Sequence, residues 1–236
     1  MSAPALRVEN LGVELPGAPP SAGLRGVDLE LWPQQVVGLV GPSAAGKSLL
    51  AWGLLGLAPP GGHVIADRFE LGGAGVDWDD SGSARRRGAE IALMPQSPRE
   101  VLDPMRRVGE QLLEHARVHG RSAGGVAAAR DALAELKLGE DAFRAYPHQL
   151  SGGMAQRALL ALTLLVEPAV IVADEPTSAL DLEVTADVVA ALSARVAAGA
   201  ALLLVSHDLD LVGRLADRVL VLAGGRIVEE GRTRSV

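Results

Sequence analysis

The chain contains no cysteine, which excludes a disulfide framework, a thiolate metal centre and a cysteine nucleophile. No run approaches the roughly 18–20 apolar residues of a membrane-spanning helix. The best, Ala158 to Val166, is stopped by Glu167 and Pro168. The amino terminus shows no basic segment followed by an apolar one, so no secretory leader is expected. These absences together point to a cytosolic setting. Lysine is almost missing, with Lys47 and Lys137 the only two. Net charge is −7, and Arg85-Arg86-Arg87 is the one compact basic block. Nucleic-acid affinity comes mostly from neutralising phosphates, so an acidic chain without a basic stripe is not expected to bind nucleic acid. Three adjacent arginines read as a solvated helix or loop face.

What is present describes a globular protein of 236 residues, 48% hydrophobic and 22% charged. That is enough for one sizeable core, or a core with a small appended lobe. Short apolar–polar alternations over Leu6–Glu9 and Gly26–Leu31, broken by the turn-rich Pro16–Gly23, predict an antiparallel hairpin. Arg68 to Trp78 alternates again and is expected to return to that sheet. Gln35–Val40 and Ile91–Met94 read as short buried strands, and Lys47 to Leu57 as a helix. From Val108 to Leu138 the apolar spacing becomes helical, interrupted at Gly124-Gly125. Then come helix 155–166, strand 169–173, helix 183–197, strand 201–205, helix 209–216 and strand-like runs at 218–222 and 226–229. Buried strands alternating with helices predict an α/β fold with a mainly parallel sheet.

Gly41-Pro42-Ser43-Ala44-Ala45-Gly46-Lys47-Ser48, followed by Leu49, fits the phosphate-binding loop pattern between a strand and a helix. Its glycines let successive backbone N–H groups turn inward at phosphate oxygens, and the helix that follows adds its positive end. Lys47 can reach the β- and γ-phosphates of ATP, and Ser48 can ligate Mg²⁺. Val170–Glu175 is an apolar strand ending in two carboxylates, a Walker B pattern. Asp174 would hold Mg²⁺ through water, and Glu175 is placed to orient or deprotonate the attacking water. Leu202–Val205, followed by Ser206 and His207, is a third buried strand ending in polar residues.

Leu150-Ser151-Gly152-Gly153-Met154-Ala155-Gln156-Arg157 resembles the signature motif of ATP-binding cassette (ABC) ATPases. The resemblance covers essentially the whole chain. It implies a P-loop NTPase (RecA-like) core, an N-terminal antiparallel β subdomain and an inserted helical subdomain at about 97–150 with the signature at its end. Residues 1–236 are then a single ABC ATPase domain. Within the resemblance His207 is the switch histidine that contacts the γ-phosphate. Gln96 is the glutamine that senses Mg²⁺ and the attacking water. Ser178-Ala179-Leu180-Asp181 is the loop that crosses a dimer interface. Ser151, Gly152 and Gly153 bind the γ-phosphate held by the opposite subunit, so each chain carries two half-sites.

Tyr146–Arg157, with Met after the glycine pair, Ala173–Thr177, Pro95–Pro98 and Val108–Leu113 are similar to the ATPase subunits of peptide/nickel importers. That implies an ATPase peripheral to the cytoplasmic face of the inner membrane. Its partners would be a second ATPase subunit, identical or not, and two transmembrane permeases docked on 97–150, with an extracytoplasmic substrate-binding protein acting indirectly. Peptide-transporting members often continue into a cysteine-bearing extension. A chain ending at Val236 is therefore expected among the nickel- or metallophore-type members. Two departures stand out: Ala44-Ala45 replaces the usual Gly-Ser pair, and Leu15 stands where an aromatic residue usually stacks on adenine. Base contact would then be apolar packing. The rival readings are a soluble ABC ATPase acting on nucleic acid or ribosomes, which tends to carry paired cassettes, long insertions or zinc-binding cysteines, and a P-loop nucleotide kinase, in which the signature segment has no role.

Overall fold

Where the apolar period changes along the chain, strand gives way to helix. The computed structural model describes residues 3–17, 23–121, 124–178 and 180–233. They fall into two compact units, the described residues within 1–93, 169–175 and 196–236 and those within 94–168 and 176–195.

The first unit opens with β1 (Leu6–Glu14), β2 (Leu24–Leu31), β4 (His63–Ile65), β5 (Arg68–Leu71) and β6 (Ala74–Gly75) in one antiparallel sheet. Its middle strand, β1, carries Leu6, Val8, Leu11 and Val13 into the core. The switch from even to odd positions is made by a bulge: the β1–β2 register shifts between Val8 and Leu11, where Asn10 sits at φ 53. Asp28 Oδ1 accepts the Asn10 N–H at 2.7 Å, and Asp67 Oδ2 accepts its side-chain amide at 3.1 Å. The return of 68–78 to this sheet is realised as β5 against β1. The separate pairing of β4 with the far half of β1 has no alternation long enough to read.

The second sheet of this unit runs in the order β11 (Arg226–Arg232), β10 (Arg218–Ala223), β3 (Val36–Val40), β9 (Ala201–Val205), β8 (Val170–Asp174), β7 (Ile91–Met94). Strands β10, β3, β9 and β8 are parallel, and β11 is antiparallel on β10. Every residue of β3, β8 and β9 is buried, which is why these strands read as continuous apolar runs. Helix α8 (Leu209–Leu215) lies close over β3 because Gly38 has no side chain: a Cβ there would stand 2.5 Å from Val212 Cγ1. Helix α1 (Lys47–Gly53) is shorter than expected, the chain reversing at Gly56 (φ 65) under Trp78. The short helix α2 (Ser81–Ala84) leads into the arginine block.

That block is not a solvated face. Arg86 donates to both carboxylate oxygens of Glu90, at 2.9 and 2.6 Å, and to the Leu71 carbonyl at 2.9 Å. Arg87 donates to the Leu55 carbonyl at 2.6 Å and lies 4.6 Å over the Trp78 ring. Arg85 alone is exposed.

The second unit holds α3 (Val108–Val118), α4 (Gly125–Glu135), α5 (Glu140–Arg144), α6 (Gly152–Leu164) and α7 (Leu182–Ala197, to Arg195 in this unit). Val108, Leu112 and Ala116 form the inner stripe of α3. The Gly124-Gly125 interruption is the left-handed N-cap of α4. Helix α6 begins at Gly152, three residues before the apolar pattern that predicts it, because glycine carries no periodic signal.

The ring of His115 on α3 meets that of His119, the residue capping the helix, edge to face at 4.6 Å. Burial, then the neighbouring His119 charge, pushes the His115 pKa down to about 4, and burial lowers His119 as well. A depressed folded-state pKa means that the unfolded chain binds the proton first. The contribution of this pair to stability is therefore fully present above pH ~6.5 and is lost as pH falls toward about 4. Urea midpoints at pH 7.5 and 5.0 are expected to differ clearly for the parent and less for His115→Gln.

Candidate phosphate-binding and hydrolytic site

Strands β3, β9 and β8 are neighbours whose carboxyl ends stand at one level, Leu39 beside Val205 and Val205 beside Asp174. In a parallel sheet this is the edge where polar residues gather.

From β3 the chain enters the loop Gly41–Gly46 with three left-handed residues, Gly41 (φ 153), Ala44 (φ 62) and Gly46 (φ 103). Gly41 has a second reason to be glycine: a Cβ would lie 2.1 Å from the Leu222 carbonyl oxygen. Ala44 adopts a conformation that costs an L-residue roughly 1–2 kcal/mol, so the alanine that replaces the usual glycine is held under strain. Lys47 Nζ donates to the carbonyls of Gly41 (2.9 Å) and Pro42 (3.1 Å), which brings the ammonium back across the loop. Ser43 and Ser48 are exposed, Ala45 is buried and Leu49 packs against the core.

The loop rests on a support that its motif does not announce. The Gly225 N–H donates to the Ala45 carbonyl at 3.1 Å, and the Gly225 carbonyl accepts the Arg25 N–H at 2.9 Å. Gly225 is left-handed (φ 74), and a Cβ on it would lie 2.0 Å from the Gly23 carbonyl oxygen.

At the end of β8 Asp174 is 6% exposed. Glu175 turns into the left-handed region (φ 50) with its N–H on the Val205 carbonyl at 2.9 Å. Its carboxylate Oε2 stands 2.8 Å from His207 Nδ1, the glutamate side chain 13% and the histidine 71% exposed. His207 follows the buried Ser206, whose Oγ accepts the Asp208 N–H at 3.0 Å, and Asp208 caps α8 through Leu211. A carboxylate held against an exposed imidazole is suited to accepting a proton from water. Residues 41–49, Asp174, Glu175 and His207 thus share the first unit. Leu15, also there, is half-buried against the apolar core.

The remaining candidates lie in the second unit. Gln96 Nε2 donates to Ser178 Oγ at 3.3 Å. Ser151 is the N-cap of α6, its Oγ accepting the Met154 N–H at 3.3 Å. The glycine pair divides its tasks. Nothing lies within 4 Å of a Cβ on Gly152, whereas one on Gly153 would stand 2.8 Å from Val184 Cγ2. Gly152 keeps an open surface at the helix start, and Gly153 admits α7. Asp181 Oδ1 accepts the Val184 N–H at 2.8 Å and so caps α7. Ala179 lies outside the described residues.

The residues fit an ATP phosphate chain: a cradle in which a Cβ at Gly41 has no room, one ammonium, an exposed hydroxyl at Ser48 and a buried carboxylate at the end of β8. Residues 24–178 match the ABC transporter family. The chain is 36% identical over 96% of its length to the oligopeptide transport ATP-binding protein OppD of Mycobacterium tuberculosis, and spans 38% of that protein. It is 38% identical over 96% of its length to the nickel import ATP-binding protein NikD of Rhodospirillum rubrum, covering 86% of it. An ATP-binding cassette solved in a post-hydrolysis state with ADP and Pi superposes with a TM-score of 0.79 at 26% identity, over 98% of this chain and 100% of that one.

Proposed function

This chain belongs to the ABC transporter family, and on that premise we propose that it is the ATP-hydrolysing subunit of an importer for peptides, nickel or a metal–metallophore complex. The observation that carries the hydrolytic part of the proposal is the alignment of three strand ends, bearing the phosphate loop, the Asp174-Glu175 pair and His207 at the same edge of one sheet; the import part rests on the relatives.

In this reading the loop N–H groups of 41–49 and the Lys47 ammonium bind the phosphates. The left-handed turns at Gly41 and Gly46 aim those N–H groups, and the Gly225 contact keeps the loop from relaxing. Ser48, and Asp174 through water, would hold Mg²⁺, which would supply neutralising charge on the phosphates. Glu175 takes the proton of the attacking water at its carboxylate. His207 Nδ1, 2.8 Å away, holds that carboxylate in place, and the same ring is the one that would meet the γ-phosphate. Ser151, Gly152, Gly153 and Asp181 serve the nucleotide of a second ATPase subunit.

The partners are that second subunit, two permeases and, indirectly, an extracytoplasmic binding protein, with this chain at the cytoplasmic membrane face. Among the described residues no helix is long and apolar enough to cross a membrane. The acidic balance argues against the nucleic-acid-directed alternative.

Lys47→Ala removes a charge-assisted phosphate contact and is expected to weaken ATP binding by about 10–100-fold in equilibrium titrations. Unchanged affinity would show that the loop is not the phosphate site. Permease and binding-protein genes beside this one would support import and narrow the cargo.

A further inference from the structure

We propose that Gln156 and Arg157 are positioning residues, which hold the two ends of the 176–187 segment, Pro176 and the start of α7 from its cap Asp181 to Asp187, in register with the Ser151-Gly152-Gly153 turn. The proposal rests on the reading above, in which both parts face a second subunit's nucleotide.

Three residues of α6, at spacings of three and four, lie on one helical face: Gly153, Gln156 and Arg157. Each meets the 176–187 segment. Gly153 leaves room for Val184, whose Cγ2 a Cβ would approach to 2.8 Å. Gln156 is only 3% exposed, and its Nε2 donates to the Pro176 carbonyl at 3.0 Å. Arg157 Nη2 lies 3.1 Å from Asp187 Oδ2, with both side chains 13–14% exposed. Lys137 Nζ adds a second cation at 2.7 Å from Asp187 Oδ1. Between these two anchors Asp181 caps α7 through Val184. The segment is therefore tied at its first residue and again beyond its cap to a helix whose first turn is the Ser151–Gly153 turn.

The physical consequence is preorganisation. An untied loop loses roughly 1–2 kcal/mol of backbone freedom per residue when a partner orders it. A loop already held by buried contacts meets the partner with that ordering done. The Gln156 bond is buried, so removing its donor strands the Pro176 carbonyl. Asp187 stands between two cations, so removing its charge leaves Arg157 without a counter-ion in a largely buried site. Neither residue touches the phosphate loop by this account, so the clamp acts on assembly and turnover and leaves first binding alone.

The test uses the full chain and its assembled complex, with Gln156→Met, which keeps length and removes the donor, and Asp187→Asn, with Asp187→Glu as the conservative rescue. Four quantities are measured: ATP affinity of the isolated chain, ATP-driven dimerisation, steady-state kcat, and hydrogen exchange of amides 177–182 without nucleotide. Expected are an ATP affinity within about twofold of the parent, faster exchange at 177–182, a raised ATP requirement for dimerisation, and a kcat lowered about tenfold and restored by Asp187→Glu. Unaltered exchange in both variants overturns the clamp. Faster exchange with unchanged dimerisation and kcat overturns its positioning role, leaving ordinary packing. A parent complex that hydrolyses no ATP while the variants still exchange faster overturns the functional reading and not the clamp. Should Asp187→Asn fail to fold, Gln156→Met decides alone.

Discussion

A Glu175→Gln chain is expected to bind ATP as tightly as the parent and to hydrolyse it at least about 100-fold more slowly. The substitution is isosteric, so the left-handed backbone at φ 50 and the N–H bond to the Val205 carbonyl have no reason to change. What is lost is a carboxylate that can take a proton, together with the charge that faces His207 Nδ1 at 2.8 Å. Binding is expected to survive because, in the proposed function, the phosphate contacts come from the loop 41–49. Single-turnover hydrolysis by the assembled complex, read beside equilibrium ATP titration, separates the two effects. Hydrolysis that persisted at the parental rate would remove Glu175 from the chemistry.

Gly225→Ala is expected to destabilise the first unit by about 3 kcal/mol or more, lowering Tm by about 6–12 °C, and to weaken ATP binding as well. A methyl group at φ 74 is strained in itself. It would also stand 2.0 Å from a backbone oxygen, that of Gly23, which cannot rotate away as a side chain can. Relief requires the β10–β11 turn to move, and that turn holds Ala45 on one side and Arg25 on the other. The same exchange at Gly152, with nothing within 4 Å of its Cβ, is the control: little change in Tm, measured by the same thermal scan. A Gly225→Ala chain as stable as the parent would mean that the turn is free to shift.

The two outcomes also mark what can be read from a sequence. The P-loop and the Asp174-Glu175 strand end are local: each is a strand period followed at once by polar residues, so residue types and order suffice. The parallel core was legible for the same reason, since buried strands write themselves as apolar runs. Gly225 was not legible, because its importance comes from Ala45, Gly23 and Arg25, about 180–200 residues away along the chain. The left-handed turn at Glu175 was hidden too, being imposed by the β9 carbonyl and not by glutamate's own preference. Arg86 and Arg87 looked like solvent-facing charge because nothing near them in sequence reveals the carbonyls of Leu71 and Leu55. Strand β4 and helix α5 are simply too short, at three and five residues, for a period to establish itself.

The support under the phosphate loop has a temporal consequence as well. During synthesis Gly41–Ser48 leaves the ribosome early, whereas Leu222 and Gly225, against which Gly41 and Ala45 are set, leave some 180 residues later. At elongation rates of about 5–20 residues per second that is a delay of roughly 10–40 s. Through that interval the nascent chain displays a complete nucleotide-binding motif that lacks its backing, and contacts of such long range are the slow ones to form. Nucleotide affinity should therefore arrive late and abruptly as the chain lengthens, so that ATP is captured only once β10 and β11 have emerged.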